Sequence, residues 1–216
     1  MNNVIKGRTR SQNILNLIDQ GKAFTRSQIQ SLFFPFPTGK RKCLEVLHRL
    51  EENKAIKKHY KGLSNSCSVY YVDRKPVNLN HILSINDVYV ALQQQKKPWQ
   101  VVEWKWEYQI MNGMVQTDAY VNWYTKPDRQ GRIVFFLEME CDLRKKFNKD
   151  TQYTKVFNED WVNEEWVVID GNKAIFPTIL IVTEHKPEIK ENPNNIRFVI
   201  ATPEQVQKDI YSLVRR

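Results

Sequence analysis

Residues 24–60 read FTRSQIQSLFFPFPTGKRKCLEVLHRLEENKAIKKHY, and the pattern within them decides the fold of the first third of the chain. Thr25 stands three residues before Gln28, the spacing of a capping box, so a helix opens over Phe24-Thr25-Arg26-Ser27-Gln28. Ile29, Leu32 and Phe33 give that helix an apolar face. Pro35 and Pro37 then break the chain. Thr38 is positioned to cap the next helix, in which Leu44, Val46, Leu47 and Leu50 recur at helical spacing. Its first turn is Gly39-Lys40-Arg41-Lys42. After Asn53 the pattern changes to short strands: 55–61, a turn over 62–66, and 67–73 with Val69 and Tyr71 alternating. Upstream, residues 10–20 place Ile14, Leu15, Leu17 and Ile18 on one helical face, and Gly21 stops that helix.

Three helices followed by a two-stranded hairpin is the order of a winged helix-turn-helix, a module that puts its third helix in the major groove of DNA. Here that helix starts with three consecutive cations, Lys40, Arg41 and Lys42. Free N–H groups at a helix start suit phosphate. Lys57, Lys58 and Lys61 lie on or beside the wing, and Arg26 and Ser27 begin the second helix; all five are candidate phosphate contacts. The competing reading is a solvated charged face on a module that binds only protein. Basic residues in a first turn oppose the helix dipole, so the cluster is slightly destabilising unless an anion is bound.

The charge distribution agrees with two modules. Residues 1–75 carry 15 Lys+Arg and 5 Asp+Glu, a net of +10, whereas residues 76–216 carry 18 and 19, a net of −1. A basic block joined to a neutral, Trp-rich block implies that one module meets a polyanion. The expected division is a winged helix over 1–75, a linker over 76–81 and a second domain over 82–216. Three widely spaced cysteines form neither a disulfide framework nor a zinc motif, which fits reduced thiols in a cytoplasm. The first residues, MNNVIKGRTR, lack an apolar signal core, and the longest apolar runs fall far short of the roughly 20 residues of a membrane span.

The second domain reads as mixed α/β. A helix over 82–95 precedes three strand-like runs, 99–110, 115–124 and 133–142, the first two joined by the turn Asn112-Gly113. A helix over 145–157 follows, then strands over 164–169, 178–183 and 196–201. A last helix is capped by Thr202 with Pro203 at its first position. Alternation puts Trp104, Trp106, Tyr108 and Ile110 on one face of the first strand, as core or as a surface that stacks on bases.

Glu138 and Glu140, two apart on one strand, point the same way, and Asp118 lies on the neighbouring strand. Carboxylates gathered so repel one another unless a cation is present, and hard oxygen ligands suit Mg²⁺ or Mn²⁺, which would activate water for attack on a phosphate. The alternative is that the three acids line the solvent face of an antiparallel sheet. The four histidines show no metal spacing, and no nucleophile elbow, Walker loop or dinucleotide fingerprint occurs. Tyr153, a lone Tyr in the helix after the third strand, reads as packing rather than as a nucleophile.

Taken together, FTRSQIQSLFF (24–34), RKCLEVLHRLEENKAIKKHY (41–60), SVYYV (68–72), LSINDVYVAL (83–92), WEYQ (106–109), QTDAY (116–120), FFLEME (135–140), DTQYTKVF (150–157) and FPTILIVT (176–183) resemble the replication-relaxation family of Gram-positive plasmids and mobile elements. The resemblance implies a winged helix followed by a divergent PD-(D/E)XK, restriction-endonuclease-like domain. It also implies double-stranded DNA as partner in plasmid replication or mobilisation, alongside other replication or transfer proteins. The nuclease pattern asks for a lysine where Glu140 stands, and its Pro-Asp is Thr117-Asp118. That lysine positions water or neutralises the transition state. Lys105, Lys145, Lys146 and Lys149 are its candidate replacements. Three expectations remain open: a DNA-binding accessory protein with a degenerate nuclease-like domain, an active Mg²⁺- or Mn²⁺-dependent endonuclease using Asp118, Glu138 and Glu140, and a transcriptional regulator whose second domain forms a homodimer.

Overall fold

The computed structural model describes residues 3–60, 68–128, 131–141, 147–170, 173–185, 187–189, 192 and 196–215. The chain is mixed α/β and divides into two compact units, Met1–Val90 and Ala91–Arg216.

The first unit contains helix α1 (Asn3–Gln20), a two-residue strand β1 (Phe24–Thr25), helices α2 (Arg26–Phe33) and α3 (Gly39–Glu52), and strands β2 (Lys57–Tyr60) and β3 (Ser68–Tyr71). The capping box forms as its spacing requires: Gln28 N donates to Thr25 Oγ1 and Thr25 N donates to Gln28 Oε1. Phe24 and Thr25, expected inside the helical opening, instead pair with Tyr70 and Val69, so the antiparallel sheet has the order β1-β3-β2. The reason is the cap itself, since a residue at that position keeps extended backbone angles and can serve a strand.

Helix α4 (Leu79–Gln95) starts earlier than its apolar pattern suggests, and the boundary between the units falls inside it. Composition alone sets that boundary about a linker at 76–81. Packing moves it, because the first three turns of α4 close the core of the first unit. Leu79 and Leu83 pack with Ala23 and Val69. Asn86, fully buried, donates to the carbonyls of Gly21 and Ala23, and Gln28 donates to Leu83 O and Asp87 Oδ1.

The second unit is built on a five-stranded sheet of order β10-β9-β6-β5-β4. Strands β4 (Val101–Ile110), β5 (Val115–Tyr124) and β6 (Arg132–Glu140) run as an antiparallel meander; β9 (Thr178–Thr183) and β10 (Phe198–Ala201) add in parallel. The turn between β4 and β5 uses left-handed backbone at Met111, Asn112 and Gly113, as the Asn-Gly pair requires. Every residue of β9 is buried, as in a strand covered on both faces. Helix α5 (Asp150–Asn158) covers one face, placing Tyr153 and Val156 against Phe136, Tyr120 and Ile179. Helix α6 (Pro203–Val214) packs on β9 and β10, and its Tyr211 meets Trp123 edge-on. A small hairpin, β7 (Val168–Asp170) with β8 (Lys173–Ile175), completes the unit. Helix α6 is kinked at Asp209, and the Gln95 side chain fills the break, accepting from Ile210 N and donating to the carbonyls of Val206 and Gln207.

Alternation along β4 fails at Glu107, whose φ is 50°. Lys105 and Tyr108, expected on opposite faces, both lie against Tyr120: Lys105 Nζ is 5.3 Å from its ring centre and the Tyr108 ring stacks on it at 4.8 Å. The Trp104–Tyr108 stripe is therefore not one face. Among the described residues, no helix is long and apolar enough to cross a membrane.

Candidate functional site

Helix α3 buries Cys43, Leu47 and Leu50 and turns Lys40, Arg41 and Lys42 outward. Leu44 is the exception to its expected apolar face. It is 39% exposed and lies between Lys40, Arg41 and His48 in a shallow concavity that also takes in Pro37, Thr38 and Glu45. Thr38 makes no side-chain cap, since its ψ of 6° is not the extended conformation a capping hydroxyl needs. The helix therefore begins with cations and no hydroxyl on its first N–H groups. Gly39 is held tightly: a side chain there would meet Phe34 O at 2.0 Å.

The other basic candidates separate. Arg26 is only 7% exposed, with Nη1 donating to Gln30 Oε1, so it is a core residue and not a phosphate contact. Its position on α2, next to the capping threonine, turns it in toward α3, where its charge also bears on Cys43. Ser27 is exposed, with its hydroxyl 3.2 Å from Thr25 Oγ1. Lys57 donates to Asp73 O, and Lys58 Nζ sits 4.5 Å from the Tyr60 ring centre. Lys61 lies outside the described residues.

The acidic candidates are built by the β5–β6 pair. The ladder runs from Tyr124↔Arg132 to Ala119↔Leu137 and then passes to side chains. Met139 N donates to Asp118 Oδ2 at 2.6 Å, and Thr117 Oγ1 donates to Leu137 O at 2.7 Å. Between these bonds stands Glu138, 3% exposed and facing α5. Tyr153 OH donates to its Oε1 at 2.6 Å; Lys149 Nζ reaches its Oε2 at 2.5 Å and also donates to Gln116 O at 2.8 Å. Burial pushes the Glu138 carboxyl up to about 7, the nearby Asp118 charge adds to that rise, and Lys149 opposes it. Burial, then Glu138, holds the Tyr153 hydroxyl well above its usual range.

Glu138 is thus neither an acid on a solvent face nor one arm of an open cation cage. Both of its oxygens are engaged by protein donors, and among the described residues no three His, Cys, Asp or Glu side chains gather as a metal site. Glu140, at the strand end, is half-buried. Of the lysines that could replace the missing one, Lys149 reaches the acid. Lys105 is bound to Glu165 at 2.7 Å, and Lys145 and Lys146 lie outside the described residues. The partner that sequence reasoning passed over is Tyr153. Tyr153 lies four residues beyond Lys149, the N-cap residue of α5, so the 149/153 spacing was the available signal.

Comparison with protein-family models, with curated proteins and with solved structures finds no match.

Proposed function

We propose that the chain is a DNA-binding accessory protein of plasmid or mobile-element replication or mobilisation. In this reading the first unit is a winged helix-turn-helix, with α3 as recognition helix and the β2–β3 hairpin as wing. The second is a restriction-endonuclease-like domain whose central acid now serves structure. The observation that carries the reading is the start of α3: three outward cations on an uncapped helix N-terminus, inside a block of net charge +10. Cations in a first turn oppose the helix dipole, and a phosphate backbone would neutralise them. The element order and the β1-β3-β2 sheet support the same assignment. The replication role and association with other replication or transfer proteins rest on the family resemblance of the sequence segments; a cytoplasmic location rests on the spacing of the cysteines, and a homodimer belongs to the regulator reading.

Binding to duplex DNA across a salt series tests it. Replacing Lys40, Arg41 and Lys42 together by Ala is expected to weaken binding and to flatten the slope of log K against log salt by about 0.9 for each of the three that meets a phosphate, roughly 2.7 if all three do. No binding, or an unchanged slope, refutes the reading. Bound sites at a replication or transfer origin support the accessory role; sites confined to promoters favour a transcriptional regulator.

A second reading, an Mg²⁺- or Mn²⁺-dependent nuclease, is favoured by one observation: Lys149 stands on Glu138 beside Asp118. The residues as arranged do not fit an open cation site. Plasmid nicking that needs Mn²⁺ and is lost in Asp118→Asn would establish this reading, and a melting temperature indifferent to both ions would remove it.

A further inference from the structure

The start of α3 holds an interaction that helix stability does not explain. Arg41 Nε donates to Glu45 Oε1 at 2.8 Å, with the two side chains 88% and 54% exposed. A pair this exposed contributes little. Its order, cation first and anion four residues on, is the less favourable one along a helix. It does have a geometric effect. Holding Nε fixes the guanidinium plane and leaves Nη1 and Nη2, the edge that makes two parallel hydrogen bonds, turned away from Glu45.

The neighbouring side chains complete a pattern. At 100° per residue, Lys40, Leu44, His48, Arg41 and Glu45 occupy one exposed sector of α3 about 140° wide, adjoining the sector of the buried Cys43, Leu47 and Leu50. Charge divides this sector along the axis. The first turn carries cations without a carboxylate, and Glu51 and Glu52 close the last turn. Only the N-terminal half can approach a polyanion. Within that half, Leu44 is an apolar side chain left 39% exposed beside a paired arginine, which phosphate contact alone would not require.

We propose that this half of α3 reads bases: Arg41, positioned by Glu45, makes the two-bond contact to a guanine in the major groove, and Leu44 packs on the methyl group of a neighbouring thymine. Arginine matches guanine O6 and N7, and an apolar side chain one helical turn away matches a thymine methyl. Lys40 and Lys42 remain phosphate contacts. The inference rests on the DNA-binding reading above and adds to it the specificity residues and the bases that they select.

The experiment selects a preferred duplex from a random library with the full-length protein, then measures affinity for single-base variants of it. Wild type is expected to select a G·C pair with a thymine nearby. Replacing that G·C pair costs between about five- and 150-fold in wild type and almost nothing in Arg41→Ala. Glu45→Gln loses much of the same discrimination while keeping the wild-type salt slope, because Glu45 touches no phosphate. Replacing the thymine by uracil, which removes only the methyl, weakens wild type and leaves Leu44→Ala unaffected. All three side chains are exposed, and unchanged melting temperatures verify that the variants fold. If Arg41→Ala weakens every sequence equally and lowers the salt slope, Arg41 is a phosphate contact and this inference fails while DNA binding stands. A selection that yields no base preference also overturns it. Absence of any DNA binding overturns the reading beneath it.

Discussion

The two units treat charge in opposite ways. At the start of α3, cations are turned to solvent on a helix end that the protein leaves uncapped. At Glu138, a carboxylate is taken inside and closed off by a tyrosine, a lysine and the strands around it. On the function proposed above, exposed charge that burdens its own helix is charge held for a partner. Buried charge with every oxygen engaged is held for the fold. The same residue types at functional-looking spacing therefore carry different meanings, and removing the α3 cations and removing Lys149 should move stability in opposite directions.

The largest expected effect concerns whether the basic unit stands alone. A fragment ending at Lys75 lacks the α4 residues Leu79, Leu83 and Asn86 that cover Ala23 and Val69 and bond the Gly21 and Ala23 carbonyls. It is expected to lack a cooperative melting transition, whereas a fragment ending at Gln95 melts cooperatively and keeps the DNA affinity. Equal melting of the two would mean that α4 is only a connector.

Next comes the buried pair. Lys149→Met removes the charge that holds the Glu138 carboxyl down, so the acid rises further and takes up a proton, and urea titration at pH 8 should show a loss of at most about 1.4 kcal/mol, the cost of protonating a group with a value of about 7. At pH 5 the acid is protonated and most of the loss should vanish. Adding Glu138→Gln should restore much of the stability at pH 8. A loss independent of pH would break the contrast between the units.

Glu138→Gln alone isolates the acid. Its folded value near 7 lies above the ordinary 4.5, so between these pH values the folded state holds more protons than the unfolded one. Wild-type stability should therefore fall as pH rises through that window and level off above it, by about 3 kcal/mol at most. The Gln variant should lose this slope and be the more stable protein at pH 8.

The smallest effect has the reverse sign to the lysine at position 149. Replacing Lys40, Arg41 and Lys42 by Ala removes charges that oppose the α3 dipole and adds strong helix formers. The free protein should gain up to about 1 kcal/mol while its affinity for DNA falls. A loss of stability would mean that these cations serve the fold after all.

Local chemistry was legible at most places where it is settled within a few residues, the missing Thr38 cap being the exception. The Thr25/Gln28 and Thr202 caps and the Asn112-Gly113 turn depend on their neighbours alone, and all appear as read. What failed depended on distant partners. Arg26 looks like a surface cation until α3 is laid over it. Leu44 looks like core because helical spacing allows several overlapping faces, and only the packing of Cys43, Leu47 and Leu50 selects one. The acids were correctly placed on adjacent strands, yet their surroundings come from α5, some ten residues further on. Period-2 reasoning says which residues share a face and not what covers that face. At Glu107 even the period breaks, because one left-handed residue turns the remainder of the strand over.

Gly39 bears on how a genetic survey of this protein would look. Its missing side chain lets α3 begin against the Phe34 carbonyl, so any substitution displaces the helix that carries the exposed cations. A scan of loss-of-function alleles would score Gly39 as intolerant as Lys40 or Arg41. Their neighbourhood would then pass for a single contact patch, though Gly39 is itself buried against Phe34. Second-site suppressors would tell them apart. A weakened cation can be rescued by new positive charge elsewhere on the surface, whereas Gly39 can be relieved only by changes that reshape the turn spanning residues 34–38.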